Sequence, residues 1–204
     1  MNTSRADQLQ DKVFGVCMIL APILLLVSSV AFNLVGDTLG GGVLVYASFV
    51  FIPAVLGLTG LLWERVPRLA VALRLLAIFG CVGGACFGAV EAFVGAVAQT
   101  GASEATVADL VALYNSGLLF LDPLGFSFPL SMIALGITLW RTRTVPAWAG
   151  IVLVLAGVAF PIGRVSTIYV LYPVADVLFL VSVGWIGLRS YLSPGTSATS
   201  ARVT

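Results

Sequence analysis

Long apolar runs, separated by short polar intervals, recur six times along the chain. They lie at 13–35, 43–63, 69–97, 116–140, 147–163 and 166–188, and each has about the 17–25 residues that a membrane helix requires. Inside a bilayer no water satisfies backbone N–H and C=O groups, so each run predicts a helix. The pattern therefore predicts an all-α fold, a polytopic membrane protein whose single domain over 1–192 is a six-transmembrane-helix bundle. The first run is longer than the roughly 7–15-residue core of a signal peptide. One polar interval stands out. In 98–115, Val107, Leu110, Val111 and Tyr114 recur at helical spacing, with Ser103 suited to an N-cap and Glu104 to a first turn. This predicts a short outer amphipathic helix. The Ser/Thr/Ala/Gly-rich stretch 193–204 is expected to be a disordered cytoplasmic tail.

Composition agrees and narrows the chemistry. Of 204 residues 60% are hydrophobic and 9% charged, against about 25% charged in a soluble domain. Ten basic against nine acidic residues leave a net charge of +1, which excludes a nucleic-acid-binding surface. There is no histidine, which removes His-ligated haem, His-bearing zinc sites and Ser-His-Asp triads. Cys17, Cys81 and Cys86 fall inside apolar runs and read as packing residues. No metal and no cofactor are expected.

Charge placement sets the expected orientation. Arg5, Lys12, Arg65, Arg68, Arg74, Arg141, Arg143, Arg189 and Arg202 fall on one side of the six runs, and only Arg164 falls on the other. The positive-inside rule then predicts both termini in the cytoplasm of a cell-membrane protein. Arg74, one turn inside the third run, is expected to snorkel.

Several runs are more than anchors. Pro22, Pro53, Pro123, Pro129, Pro161 and Pro173 occur in five of the six and can kink their helices. Gly80, Gly84 and Gly88, extended by Gly95, form a ladder of small residues that lets a neighbouring backbone approach closely. The ladder predicts that the third helix is central, with a homodimer contact through Gly80, Gly84 and Gly88 as the alternative. The segments Phe49-Val-Phe51-Ile-Pro53…Trp63 and Phe126-Ser-Phe128-Pro129…Trp140, each followed by Arg and Pro, are similar. They suggest either a duplicated hairpin or the shared demands of a membrane interface.

Three acids sit where acids are costly. Glu91 falls on the same face as the glycine ladder, about 9 Å from the outer end of its run. Asp122 shares a face with Asn115, Phe126 and Pro129, and Asp176 with Tyr169 and Tyr172. A charge at mid-membrane costs about 2.5–3.5 kcal/mol on the lenient insertion scale. Arg164 is their natural partner, through a bidentate carboxylate pair. Two arrangements account for this: a buried ion-pair network that fixes helix register, or an outward-facing polar pocket. In the pocket, Glu91, Asp122 and Asp176 are candidate acids, and Arg164, Asn115, Phe126, Tyr169 and Tyr172 are ligand contacts.

These residues point first to binding or transport of a small or apolar ligand, with lipid as the surrounding partner. An intramembrane enzyme that uses a protonated carboxylic acid on a lipid or isoprenoid substrate is the second reading. A non-catalytic membrane subunit or regulator is the third. In scale and acid usage the chain is similar to the small integral-membrane terpene cyclases. The stretch Leu139-Trp140-Arg141-Thr-Arg143-Thr-Val-Pro146-Ala-Trp148-Ala-Gly150, followed by Ala-Phe160-Pro161-Ile-Gly163-Arg164, resembles a pattern in small six-helix membrane proteins of actinobacteria that carry a domain of unknown function. That resemblance covers about residues 110–190 and implies a bacterial inner-membrane protein without implying an activity.

Overall fold

The first turn between helices rests on a single glycine. Gly36 has φ +128°, a conformation only glycine adopts without strain, so the chain reverses there within two residues. The computed structural model describes residues 5–117, 122–166 and 171–192, with the side chains at 115–117, 122, 123, 165 and 166 outside that description. The helices in chain order are α1 (Arg5–Leu34), α2 (Asp37–Gly60), α3 (Pro67–Gln99), α4 (Glu104–Gly117), α5 (Asp122–Arg141) and α6 (Ala147–Ser166). The last, α7 (Leu171–Leu192), contains a π-helical segment at Leu180–Gly184. No strand occurs among the described residues. Six helices are long and apolar enough to cross a membrane, so the chain is a multi-pass membrane protein. The tail 193–204 and Tyr169 lie outside the described residues.

Local chemistry explains the boundaries. Pro67 opens α3 at a position where its missing N–H is not needed. The Oγ of Ser103 accepts the Thr106 N–H at 3.2 Å, so Ser103 caps the short helix α4 as expected. The second span, expected from 43, starts six residues earlier at Asp37. Its Gly40-Gly41-Gly42 run is helical because two of these glycines are contact points. Gly40 lies under the Phe32 ring and Gly41 against the backbone of Gly88 and Ala92. Of the prolines, Pro22, Pro53, Pro129 and Pro161 lie inside helices. Pro123 and Pro173 stand in first turns, where they break no hydrogen bond.

The six long helices close into a ring, each packed on its neighbours in the order α1, α2, α3, α5, α6, α7 and back to α1. Helix α3 is one member of this wall, packed on α2 and α5, and not the central helix the glycine ladder suggested. The ladder serves two partners. Gly80 and Gly83 abut Phe128, Leu124 and Gly125 of α5, whereas Gly84, Gly88 and Gly95 abut Ser48, Gly41 and Thr38 of α2. Gly80, Gly84 and Gly88 are thus occupied within the chain, and a homodimer would need another surface. Three ring interfaces contain reciprocal glycine pairs in which a Cβ on either residue would strike the other's carbonyl. They are Gly41 with Gly88, Gly136 with Gly150, and Gly15 with Gly187.

The outer face of the ring is apolar and meets lipid. On α1, Val13, Val16, Leu20, Ile23, Val27, Val30 and Leu34 are exposed at alternating three- and four-residue steps, one continuous helical stripe. Inside, Phe51, Phe128, Phe160 and Phe179 meet edge-on or tilted, with centroids 5.1–6.3 Å apart. Phe51 and Phe128, the equivalent positions of the two similar segments, touch across the ring. The Arg-rich end is finished by Trp63, Trp140, Trp148 and Trp185. Arg74 stacks on Trp63 and donates to Thr59 Oγ1 at 3.0 Å, and Arg189 stacks on Trp185. Arg65 Nη1 donates to the Thr142 carbonyl and ties the α2–α3 turn to the α5–α6 turn.

Candidate functional site

The aromatic plug leaves a space beside it. A cavity of about 250 Å³ is lined by Leu25 of α1, Leu44, Ser48 and Phe51 of α2, Gly80, Cys81, Gly83, Gly84 and Phe87 of α3, Tyr114 of α4, Gly125, Phe126, Phe128 and Pro129 of α5, and Phe160, Pro161 and Arg164 of α6. Phe51, Phe128 and Phe160 belong to the plug. From there the lining residues run toward the helix ends opposite the Arg-rich turns. Glycines make the room. A Cβ on Gly125 would meet nothing within 4 Å, whereas one on Gly80 or Gly83 would strike α5. Pro129 and Pro161 stand on facing helices at this level, where each removes a helical hydrogen bond.

Arg164 is the cavity's one charged lining residue among those described. It lies in the last turn of α6, where the helix dipole favours a cation. Its guanidinium stacks on Phe160 at 4.6 Å and on Tyr172 at 5.2 Å, within the range of cation–π attraction. Its Nη2 is shut off from solvent and has no hydrogen-bond partner among the described residues.

The expected acids are arranged differently around it. Asp176 is fully buried in α7 and lies in electrostatic range of Arg164, but both its carboxylate oxygens are without a hydrogen-bond partner among the described residues. Of the pairings expected for Arg164, a bidentate one with Asp176 is therefore not formed. Ser29 of α1 lies near Asp176; it too is fully buried, and its hydroxyl has no hydrogen-bond partner among the described residues. Glu91 is half-buried, in electrostatic range of Asp37 and Arg164. Neither Glu91 nor Asp176 lines the cavity, and Tyr172 reaches it only through Arg164. Phe126 lines it. Asp122 opens α5 and Asn115 lies in α4, with both side chains outside the described residues. No cluster of three metal-ligating side chains occurs among the described residues.

Sequence reasoning missed Phe51, Phe87, Phe128, Phe160 and Gly125 as cavity residues. Two of them carry a signal, a Phe directly before an intrahelical proline, in Phe128-Pro129 and Phe160-Pro161. Comparison with known proteins adds no relative: no family model, curated protein or solved structure matches the chain.

Proposed function

We propose that the protein binds a small, largely apolar ligand within the membrane, in the cavity between the aromatic plug and Arg164. The observation that carries this reading is the cavity itself. Its volume of about 250 Å³ exceeds the roughly 150 Å³ that accepts benzene. It is mostly apolar, with Ser48, Tyr114 and the charged Arg164 as the polar residues of the described lining, the usual make-up of a small-molecule site. The positive-inside pattern orients the Arg-rich end to the cytoplasm, so that the cavity lies on the outer side of a bacterial inner membrane. A reporter fused to the C-terminus and active only outside the cell would reverse that orientation.

The test uses a variant that fills the space without disturbing a contact. Gly125→Phe places a ring where the structure has open room. Wild-type protein in nanodiscs is expected to bind 1-aminonaphthalene at a single saturable site, and Gly125→Phe to lose that site with an unchanged melting temperature. Equal saturable binding by both proteins would overturn the proposal.

The Phe walls also favour the second reading, an intramembrane enzyme similar to the small terpene cyclases, because aromatic faces stabilise a cationic intermediate. That reading requires an acid at the cavity, and the described lining contains none. Asp122 is its remaining candidate. Asp122→Asn abolishing turnover of a prenylated substrate in isolated membranes, with 1-aminonaphthalene binding intact, would favour the enzyme.

A further inference from the structure

We propose that the cavity's ligand is an anionic amphiphile whose head is held by Arg164 and whose apolar body lies against Phe51, Phe87, Phe126 and Phe128. The inference rests on the cavity reading above and adds the chemistry of the head.

Three observations carry it. A guanidinium has five N–H donors in a fixed fork, and at Arg164 Nη2 is sealed from solvent with no acceptor among the described residues. A buried donor left in that condition is costly and is ordinarily satisfied by protein, water or ligand. Second, the group is held in place: Phe160 and Tyr172 pack against the guanidinium, and the C-terminal turn of α6 supports its charge. Third, the carboxylates described near it do not take up the free donor. Asp176 is in electrostatic range, yet both of its oxygens are unpartnered among the described residues, and Glu91 is in range without bonding to Nη2. The open N–H stands on the one charged residue among the described lining of the cavity. Its complement is a carboxylate, or a phosphate oxygen, joined to a hydrophobic body.

The volume sets the size of that body. Scaled from a 150 Å³ cavity that accepts the six carbons of benzene, the space suits a ligand of about ten heavy atoms. Octanoate matches this, and octan-1-ol is its neutral counterpart of equal chain length. Both are to be tested in nanodiscs by displacement of 1-aminonaphthalene. Octanoate is expected to compete roughly tenfold to a hundredfold more tightly than octan-1-ol, the gain of a charge-assisted hydrogen bond over a neutral one in a dry site. Arg164→Gln is expected to remove that advantage and to leave octan-1-ol within about twofold of wild type, and Arg164→Lys to retain part of it. Octyl phosphate competing like octanoate, with acetate and inorganic phosphate inert at the same concentration, supports an amphiphile. Equal competition by acetate or inorganic phosphate overturns it in favour of a free-anion site. Should Arg164→Gln fail to fold, the wild-type ratio of octanoate to octan-1-ol still decides, and a ratio near one overturns the proposal. Loss of all saturable binding in wild type instead refutes the cavity reading beneath it.

Discussion

The interface between α5 and α6 supports a quantitative prediction, because Gly136 and Gly150 hold the two backbones against each other. A Cβ on Gly136 would stand 2.7 Å from the Gly150 carbonyl oxygen and 2.8 Å from Val154 Cγ2. One on Gly150 would stand 2.8 Å from the Gly136 carbonyl oxygen and 2.8 Å from Trp140 Cβ. Ordinary contact begins near 3.4 Å, so either methyl forces the helices apart by roughly 0.6–0.7 Å. A gap of that order forfeits a quarter to a half of each dispersion contact along the seam. Overpacking of this kind costs about 1–3 kcal/mol, so Gly136→Ala and Gly150→Ala are each expected to lower stability by that amount. The cost should not add. One separation relieves both clashes, so the double variant should lose little more than the worse single one, a coupling of about 0.5–3 kcal/mol. The assay is unfolding in mixed micelles at rising dodecyl sulfate, followed by tryptophan fluorescence. Trp140 and Trp148 sit on these two helices and report directly. Gly42→Ala is the control, because a Cβ there meets nothing within 4 Å; it should change stability by no more than about 0.5 kcal/mol. Neutral single variants, or a double variant equal to the sum of two large losses, would refute the close approach.

Other consequences follow from single contacts. Ser29→Ala removes a buried hydroxyl that has no partner among the described residues and is expected to raise stability by about 1 kcal/mol; a loss of similar size would show that Ser29 is hydrogen-bonded, with Asp176 the natural acceptor. Phe128→Ala deletes a ring that touches Phe51, Phe160 and Phe179, and should cost about 3–5 kcal/mol in the same unfolding assay. Ser103→Ala removes the cap of α4 at a cost of about 1 kcal/mol, seen as roughly fivefold faster amide exchange in the first turn of that helix and nowhere else.

The six spans were legible because lipid imposes a simple rule. Exposed positions on a membrane helix must be apolar, and helical periodicity separates them from the rest. The stripe from Val13 to Leu34 follows that rule at every step. The cap at Ser103 was legible for a similar reason, since the pattern is local and needs no knowledge of neighbours. Helix α3 shows where the rule stops. Its small residues identify close packing but not with what, and a ladder serving α2 along one edge and α5 along the other reads the same as one aimed at a centre or at a second copy. A single-face reading therefore placed α3 centrally, whereas two adjacent edges place it in the wall.

The acids show the deeper limit. Periodicity gives the direction in which Glu91 and Asp176 point, and the scarcity of charge marks them as unusual, but neither shows how far their side chains stand from Arg164. That distance depends on how the ring closes, which rests on glycine contacts between α1 and α7 and between α5 and α6. Those contacts bring Arg164 and Asp176 into electrostatic range while leaving Nη2 and both carboxylate oxygens unpaired. A closed ion pair at this place would neutralise Arg164 and leave the described cavity lining with no charged anchor. An open one keeps a cation at the edge of an aromatic space. The same glycines that set the helix spacing thereby decide whether Arg164 serves the protein's own acid or a ligand, so Gly150→Ala should weaken octanoate competition more than that of octan-1-ol, by shifting α6 and its arginine relative to α5.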